Sequence, residues 1–116
     1  MGGSIDMLRS ASDFAALQAG GRSRSHPVLS IRYRRNEGES NRYGISTNRK
    51  IGGAVVRNRI RRRLRSILKD LDRRTVVGLD VLIVARPPAA SATQAELAAV
   101  LESLLRAGGL IGESDR

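Results

Sequence analysis

Six of the nine positions from Arg57 to Arg65 are arginine, and hydrophobic residues interrupt the run at regular intervals. A guanidinium is planar, permanently charged and able to grip phosphate with two parallel N–H donors, so this density of arginine suits a sugar–phosphate backbone. At 100° per residue, with Ile60 at zero, Arg61, Arg65, Asn58, Lys69, Arg62 and Arg59 fall in order around one side of a helix. Val56, Ile60, Leu64, Ile67, Leu68 and Leu71 form an apolar stripe opposite, flanked by Arg57 and Arg63. Hydrolytic chemistry has fewer candidates. The carboxylates Asp13, Glu37, Glu39, Asp70, Asp72 and Asp80 make no paired motif beside the basic surface, and Asp70 and Asp72 read as surface charges closing the helix. With no cysteine and only His26, a thiolate zinc site and imidazole catalysis have little to draw on. No catalytic residue and no metal ligand is assigned to the polypeptide.

The basic charge is concentrated. The chain has 116 residues and a net charge of +10, and between Ser40 and Lys69 there are ten basic residues and no acidic one. A mixed-sign helix face is ordinarily a solvated face, because opposite charges pair along it. Here like charges at i,i+4 spacing destabilise the helix and call for a polyanion from outside. A membrane surface would require the apolar stripe twice, once for the core and once for lipid. Duplex DNA is a more serious rival, but the sequence shows no helix-turn-helix, heptad dimeriser or zinc knuckle, so folded RNA is the better fit and neither DNA nor membrane is expected as partner.

The flanking elements must carry that helix. A short helix is expected over about Ala11 to Ala19, opened by Ser10 and Asp13 and closed by Gly20 and Gly21. From His26 to Arg35, alternation of Leu29, Ile31 and Tyr33 with Ser30, Arg32 and Arg34 predicts a half-buried strand. NEGES then reads as a turn, and Arg42 to Lys50 as a second strand hairpinned to the first, with Gly44 an irregularity in it. The apolar run Val81 to Ala85 predicts a strand buried on both faces, ended by Pro87 and Pro88. Thr93 and Glu96 predict a capping box before a last helix whose stripe is Leu97, Val100, Leu101, Leu104 and Leu105. The expectation is one α/β domain over residues 1–116, an α+β two-layer sandwich in the order helix, strands, helix, strand, helix, with a frayed tail GESDR. The amino terminus lacks the regions of a signal peptide and no apolar run approaches a membrane span, so a cytoplasmic location is expected.

The segment KIGGAVVRNRIRRRLR resembles the signature of the bacterial ribonuclease P protein component. Lys50, Ile51, Gly52, Ala54, Val55, Arg57, Asn58, Arg59, Arg61, Arg62 and Arg65 match it in order and spacing. Leu8-Arg9, Asp13-Phe14 and Gly21 resemble the family's first helix, Gly44 to Ser46 its second long strand, and Asp80 to Pro87 its Ala-Arg-x-Pro strand, so the match covers about residues 8–107. The resemblance implies a mixed sheet of about four strands, with the basic helix in a left-handed β-α-β crossover against the usual right-handed preference. It also implies a role: with a catalytic RNA and RNA-bound magnesium, such a subunit helps remove the 5′ leader from precursor tRNA. By position, Arg57, Asn58, Arg59, Arg61, Arg62 and Arg65, joined by Lys50 and Lys69, become RNA-contacting residues. Phe14 becomes a wall of the leader cleft, with Arg32, Ser46 and Lys50 beside it. Where the family often has two further aromatics, this chain has Gln18 and, on the first long strand, Ser30 or Arg32, with Tyr33 one residue off and expected in the core. Composition does not separate this role from that of a ribosomal-type RNA-binding protein; the Arg-Asn-Arg pattern and Phe14 do.

Overall fold

The computed structural model describes residues 5–8 and 10–112. Arg9 and most of the tail expected to fray lie outside the described residues. The chain runs β1 (Asp6–Met7), α1 (Ala11–Gly20), β2 (Arg22–Ser25), β3 (Leu29–Arg35), β4 (Arg42–Ser46), α2 (Ala54–Asp72), β5 (Leu79–Ala85) and α3 (Gln94–Ala107), with 3-10 turns at Arg49–Ile51 and Pro87–Ser91.

Local chemistry accounts for the helices. Ser10 Oγ accepts from the Asp13 amide at 3.1 Å, and Gly21 N–H closes α1 on Leu17 O at 2.9 Å. At α3, Glu96 N–H donates to Thr93 Oγ1 and Thr93 N–H to Glu96 Oε1, at 3.1 and 2.7 Å, which is the reciprocal box expected from the sequence. The apolar stripes of α2 (Ile60, Leu64, Ile67, Leu68, Leu71) and α3 (Leu97, Leu101, Leu104, Leu105) are buried together against one sheet face. Val56 and Val100, at the margins of those stripes, are half-buried.

The sheet has five strands in the order β1-β4-β5-β3-β2. The count exceeds the four expected because β1 is only two residues long and β2, RSRS, is exposed throughout, so neither leaves an apolar signature. The expected hairpin between the first long strand and Arg42–Lys50 does not form. β5 lies between them, antiparallel to β3 and parallel to β4, so α2 is the crossover helix of a parallel β4-α2-β5 unit. The physical reason is burial: β5 alone is apolar on both faces, which fits only the centre of the sheet. The second strand also stops at Ser46, because the chain turns into the 3-10 segment before α2.

Pleating divides the side chains. Leu29, Ile31, Tyr33, Tyr43, Val81 and Ile83 face α2 and α3. Leu82 and Val84 face the other way, into a small cluster with Leu8, Leu17 and Phe14 under α1. Asp80 shares that second face, and its side chain is fully buried. It accepts from Arg42 Nε and Nη2, both at 2.8 Å, from Asn36 Nδ2 at 2.9 Å and from Arg34 Nη2 at 3.2 Å. Arg42 also reaches Asp13 of α1 at 3.3 Å. Asp72 is likewise more than a surface charge: it accepts from the buried Tyr43 hydroxyl and from Asn41 Nδ2, tying the end of α2 to the sheet. Burial, with the Asp72 carboxylate beside it, pushes the Tyr43 phenol well above its ordinary pKa.

Burial by itself would raise the Asp80 pKa, but hydrogen bonds from Arg42 and Asn36 and the arginine charges outweigh it, and the net direction is down. A depressed carboxylate stabilises the fold above its unfolded pKa of about 3.9 and loses that contribution as pH falls through the folded value. Asp80→Asn should therefore cost about 1.5–3 kcal/mol at pH 7, since Arg34 loses its carboxylate and Arg42 keeps only Asp13. Urea melts should show the wild type losing stability below about pH 4 and the variant losing less over the same interval. Parallel pH profiles would remove Asp80 as the origin.

Candidate nucleic-acid interface

The arginine helix sorts its basic side chains into two groups. Arg59 Nη2 donates to Ala90 O at 3.1 Å and Arg63 Nη1 to Ala92 O at 2.9 Å, so both are pegs holding α2 to the segment after β5. Each satisfies a backbone carbonyl in or just after the 3-10 turn Pro87–Ser91. Arg59 is thus a half-buried guanidinium fixed on its inner side rather than a free rod, and Arg57 is half-buried as well. The second group faces outward. Asn58, Arg61, Arg62, Arg65, Ser66 and Lys69 line a groove of about 490 Å³ along the helix. Asn58 Oδ1 accepts from Arg61 Nη1 at 2.9 Å, which orients that guanidinium, and the Asn58 amide donors have no partner among the described residues. Among the described residues no acidic side chain lines this groove. Lys50 is exposed in the 3-10 turn leading to α2, its amide N–H donating to Asn48 Oδ1 at 2.9 Å.

The second predicted cluster lies on the sheet face beneath α1. Register places Gly44, Leu82 and Arg32 in one row across β4, β5 and β3, and Ser46, Val84 and Ser30 in the next. Adjacent strands are about 4.8 Å apart, so Arg32 stands about 10 Å from Gly44. Arg32 is partly committed, with Nη1 donating to Gly21 O at 3.2 Å. Ser46 is half-buried and within the same face, whereas Lys50 stands beyond the end of the strand. Phe14 is half-buried between Leu8, Leu17 and Leu82, so its ring is both part of the small core and a wall of an opening.

That opening is what the sequence reading missed. A cavity of about 380 Å³ is lined by Phe14, Met7, Gly44 and Ile45 on one side and by Arg61 and Arg65 of α2 on the other. It joins the two predicted clusters at the β1–β4 edge. Gly44 makes the junction possible: a Cβ there would lie 2.8 Å from Phe14 Cε1, closer than real contacts allow. A glycine inside a strand signals such a close approach, but nothing in the sequence says which side chain makes it. Among the described residues no group of three or more His, Cys, Asp or Glu side chains could hold a metal. Asp13, Asp72 and Asp80 are engaged as acceptors by arginine, tyrosine or asparagine. No helix among them is long and apolar enough to cross a membrane.

Known proteins resemble this chain over most of its length. The family model described as Ribonuclease P matches residues 5–108. The ribonuclease P protein component of Roseiflexus sp. (strain RS-1) is 33% identical over 109 residues, covering 93% of this chain and 89% of its own length. That of Lachnoclostridium phytofermentans is 31% identical over 110 residues, covering 95% of each. The solved structure of the RNase P protein of Staphylococcus aureus superposes with a TM-score of 0.85 at 26% identity, over 94% of this chain and all (100%) of that one.

The unrelieved charge of the outer groove predicts an anion-dependent stability. An anion that binds only the folded state raises apparent stability by mass action. Sulfate also stabilises proteins generally by exclusion from their surface, so the control is a triple variant, Arg61→Ala, Arg62→Ala and Arg65→Ala. Melting temperature should rise with sulfate beyond chloride at equal ionic strength, and the excess should shrink in the variant. Equal excess in both proteins would dissociate the effect from this groove.

Proposed function

The chain belongs to the bacterial ribonuclease P protein family, and we propose that within that enzyme it grips the catalytic RNA with the outer face of α2 and holds the 5′ leader of precursor tRNA against Phe14. The observation that carries this reading is the shared cavity in which Phe14 faces Arg61 and Arg65. An aromatic ring beside guanidinium groups is what a single strand requires, since a base stacks on the ring while its phosphates are neutralised nearby. A generic RNA-binding helix has no use for the aromatic wall. The two binding roles meet at one edge of the sheet, so a leader lying on Phe14 would run past the RNA held by α2.

In this reading Arg61, Arg62, Arg65 and Lys69 supply most of the backbone contact, with Asn58 orienting Arg61. Arg59 and Arg57 act from partly buried positions at the margin. Ser46 and Arg32 border the leader path on the sheet, and Lys50 meets it beyond the strand end. The polypeptide positions and neutralises; hydrolysis belongs to the RNA partner, and the magnesium ions that the family's chemistry uses are assigned to that RNA, because the described carboxylates offer no cluster to hold them.

Reconstitution with the catalytic RNA tests both halves. Neutralising about five phosphates gives a log–log salt slope of about −3.5 to −4.5, and the triple arginine variant should flatten it by about two units. Phe14→Ala should weaken binding of precursor tRNA bearing a leader of several nucleotides by about 1–3 kcal/mol for each lost base stack, with mature tRNA and catalytic RNA bound as before. A thermal melt accompanies the variant, since Phe14 also packs in the small cluster. Equal loss toward precursor and mature tRNA by a folded variant would reduce Phe14 to a core residue.

A further inference from the structure

The α2 run is not the only acid-free stretch: between Arg22 and Arg35 there are five arginines and no carboxylate. Two of these are occupied, Arg32 by Gly21 O and Arg34 by Asp80. Arg22 and Arg35 are exposed, and their guanidinium groups have no ion-pair or hydrogen-bond partner among the described residues. They converge on a cavity of about 460 Å³ at the β2–β3 side of the sheet, the side away from β1 and β4. Its lining is divided. Arg22 and Arg35 supply charge, and Leu79 and Leu110 an apolar floor, with Tyr33 between them, while the Arg34 guanidinium is turned to Asp80 on the other face of the sheet.

Several details give the cavity the character of a binding site. Tyr33 is 7% exposed, and its hydroxyl has no partner among the described residues. Gly108 leaves room for that hydroxyl, since a Cβ there would sit 2.9 Å from it. The bland explanation is that these arginines complement the carboxyl ends of α1 and α3, which close at Gly20 and Ala107 nearby. That accounts for charge at the rim but not for a concave apolar floor with unused donors, at a volume typical of small-ligand sites.

We propose that this cavity receives one unpaired RNA nucleotide, its base on the Leu79–Leu110 floor against Tyr33 and its phosphate on Arg22 and Arg35. The inference rests on the chain being an RNA-bound subunit but uses a surface separate from α2 and Phe14. The nucleotide belongs either to the catalytic RNA or to precursor tRNA, which share this chemistry.

The cysteine-free sequence allows a direct test. Val76 lines the cavity and is 41% exposed. Val76→Cys carrying a photoactivatable azidophenacyl group would be assembled into the holoenzyme with precursor tRNA and irradiated, with Ser66→Cys on the α2 groove as reference. Val76→Cys should crosslink to a discrete unpaired nucleotide, and the labelled strand identifies which RNA supplies it. Adding Arg22→Gln and Arg35→Gln should lower that yield about tenfold, as expected for loss of charge-assisted hydrogen bonds, without changing the Ser66→Cys crosslink. Crosslinking from Ser66→Cys but none from Val76→Cys, or a Val76→Cys crosslink indifferent to the two glutamines, overturns this site and leaves the α2 reading intact. Silence at both positions overturns both.

Discussion

The functional surface depends on one buried anion. Asp80 sits on the central strand with no exposed side-chain surface, and its two oxygens receive donors from β3, β4 and the turn between them. Through Arg42 the same charge reaches Asp13, one residue before Phe14 on α1. Among the described residues the small hydrophobic cluster under α1 has three buried members, Leu8, Leu17 and Leu82, a much smaller set than the core on the other face. Directional ion pairing adds what packing lacks there. A shifted α1 would carry the Phe14 ring off Gly44 and close or splay the opening toward Arg61.

The same economy applies to the arginines. Guanidinium groups in this chain serve two purposes that look identical in sequence. Arg59, Arg63, Arg32 and Arg34 satisfy carbonyls or a carboxylate of the fold itself, and their positive charge is a by-product of using the donor-rich side chain that reaches furthest. Arg61, Arg62 and Arg65 line the solvent groove instead. Helical periodicity predicts the side on which each lies, but not whether a backbone oxygen waits at the end of it. Arg59 illustrates the limit, since its position on the wheel is nearly that of its exposed neighbours while its end meets Ala90.

Local signals were legible wherever the physics is local. The capping box at Thr93, the stripe of α2, the alternation in β3 and the two-sided burial of β5 all depend on residues within one turn or one strand, and all are present. The family, too, was readable, because the Arg-Asn-Arg segment is contiguous. What could not be read is what the chain assembles across distance. Ser46 and Ser30 share a row only because β5 comes between their strands, and a short loop such as NEGES ordinarily implies a hairpin. Asp80 is a single acid at the head of an apolar run, with nothing local to name its partners. β2 was invisible because four exposed residues have no buried face to pattern.

The order of the strands also has a consequence in time. β4 has only two-residue β1 and β5 for neighbours, and β3 gains its central partner only when β5 is present. Chain synthesis therefore delivers the whole of α2 before either long ladder can close, because Leu79–Ala85 follows it. Loop closure on that scale carries an entropic toll that grows with separation and slows folding. For part of its life at the ribosome the nascent chain exposes its acid-free arginine segment with no completed sheet to rest on, a concentration of like charge that a nearby polyanion would quieten.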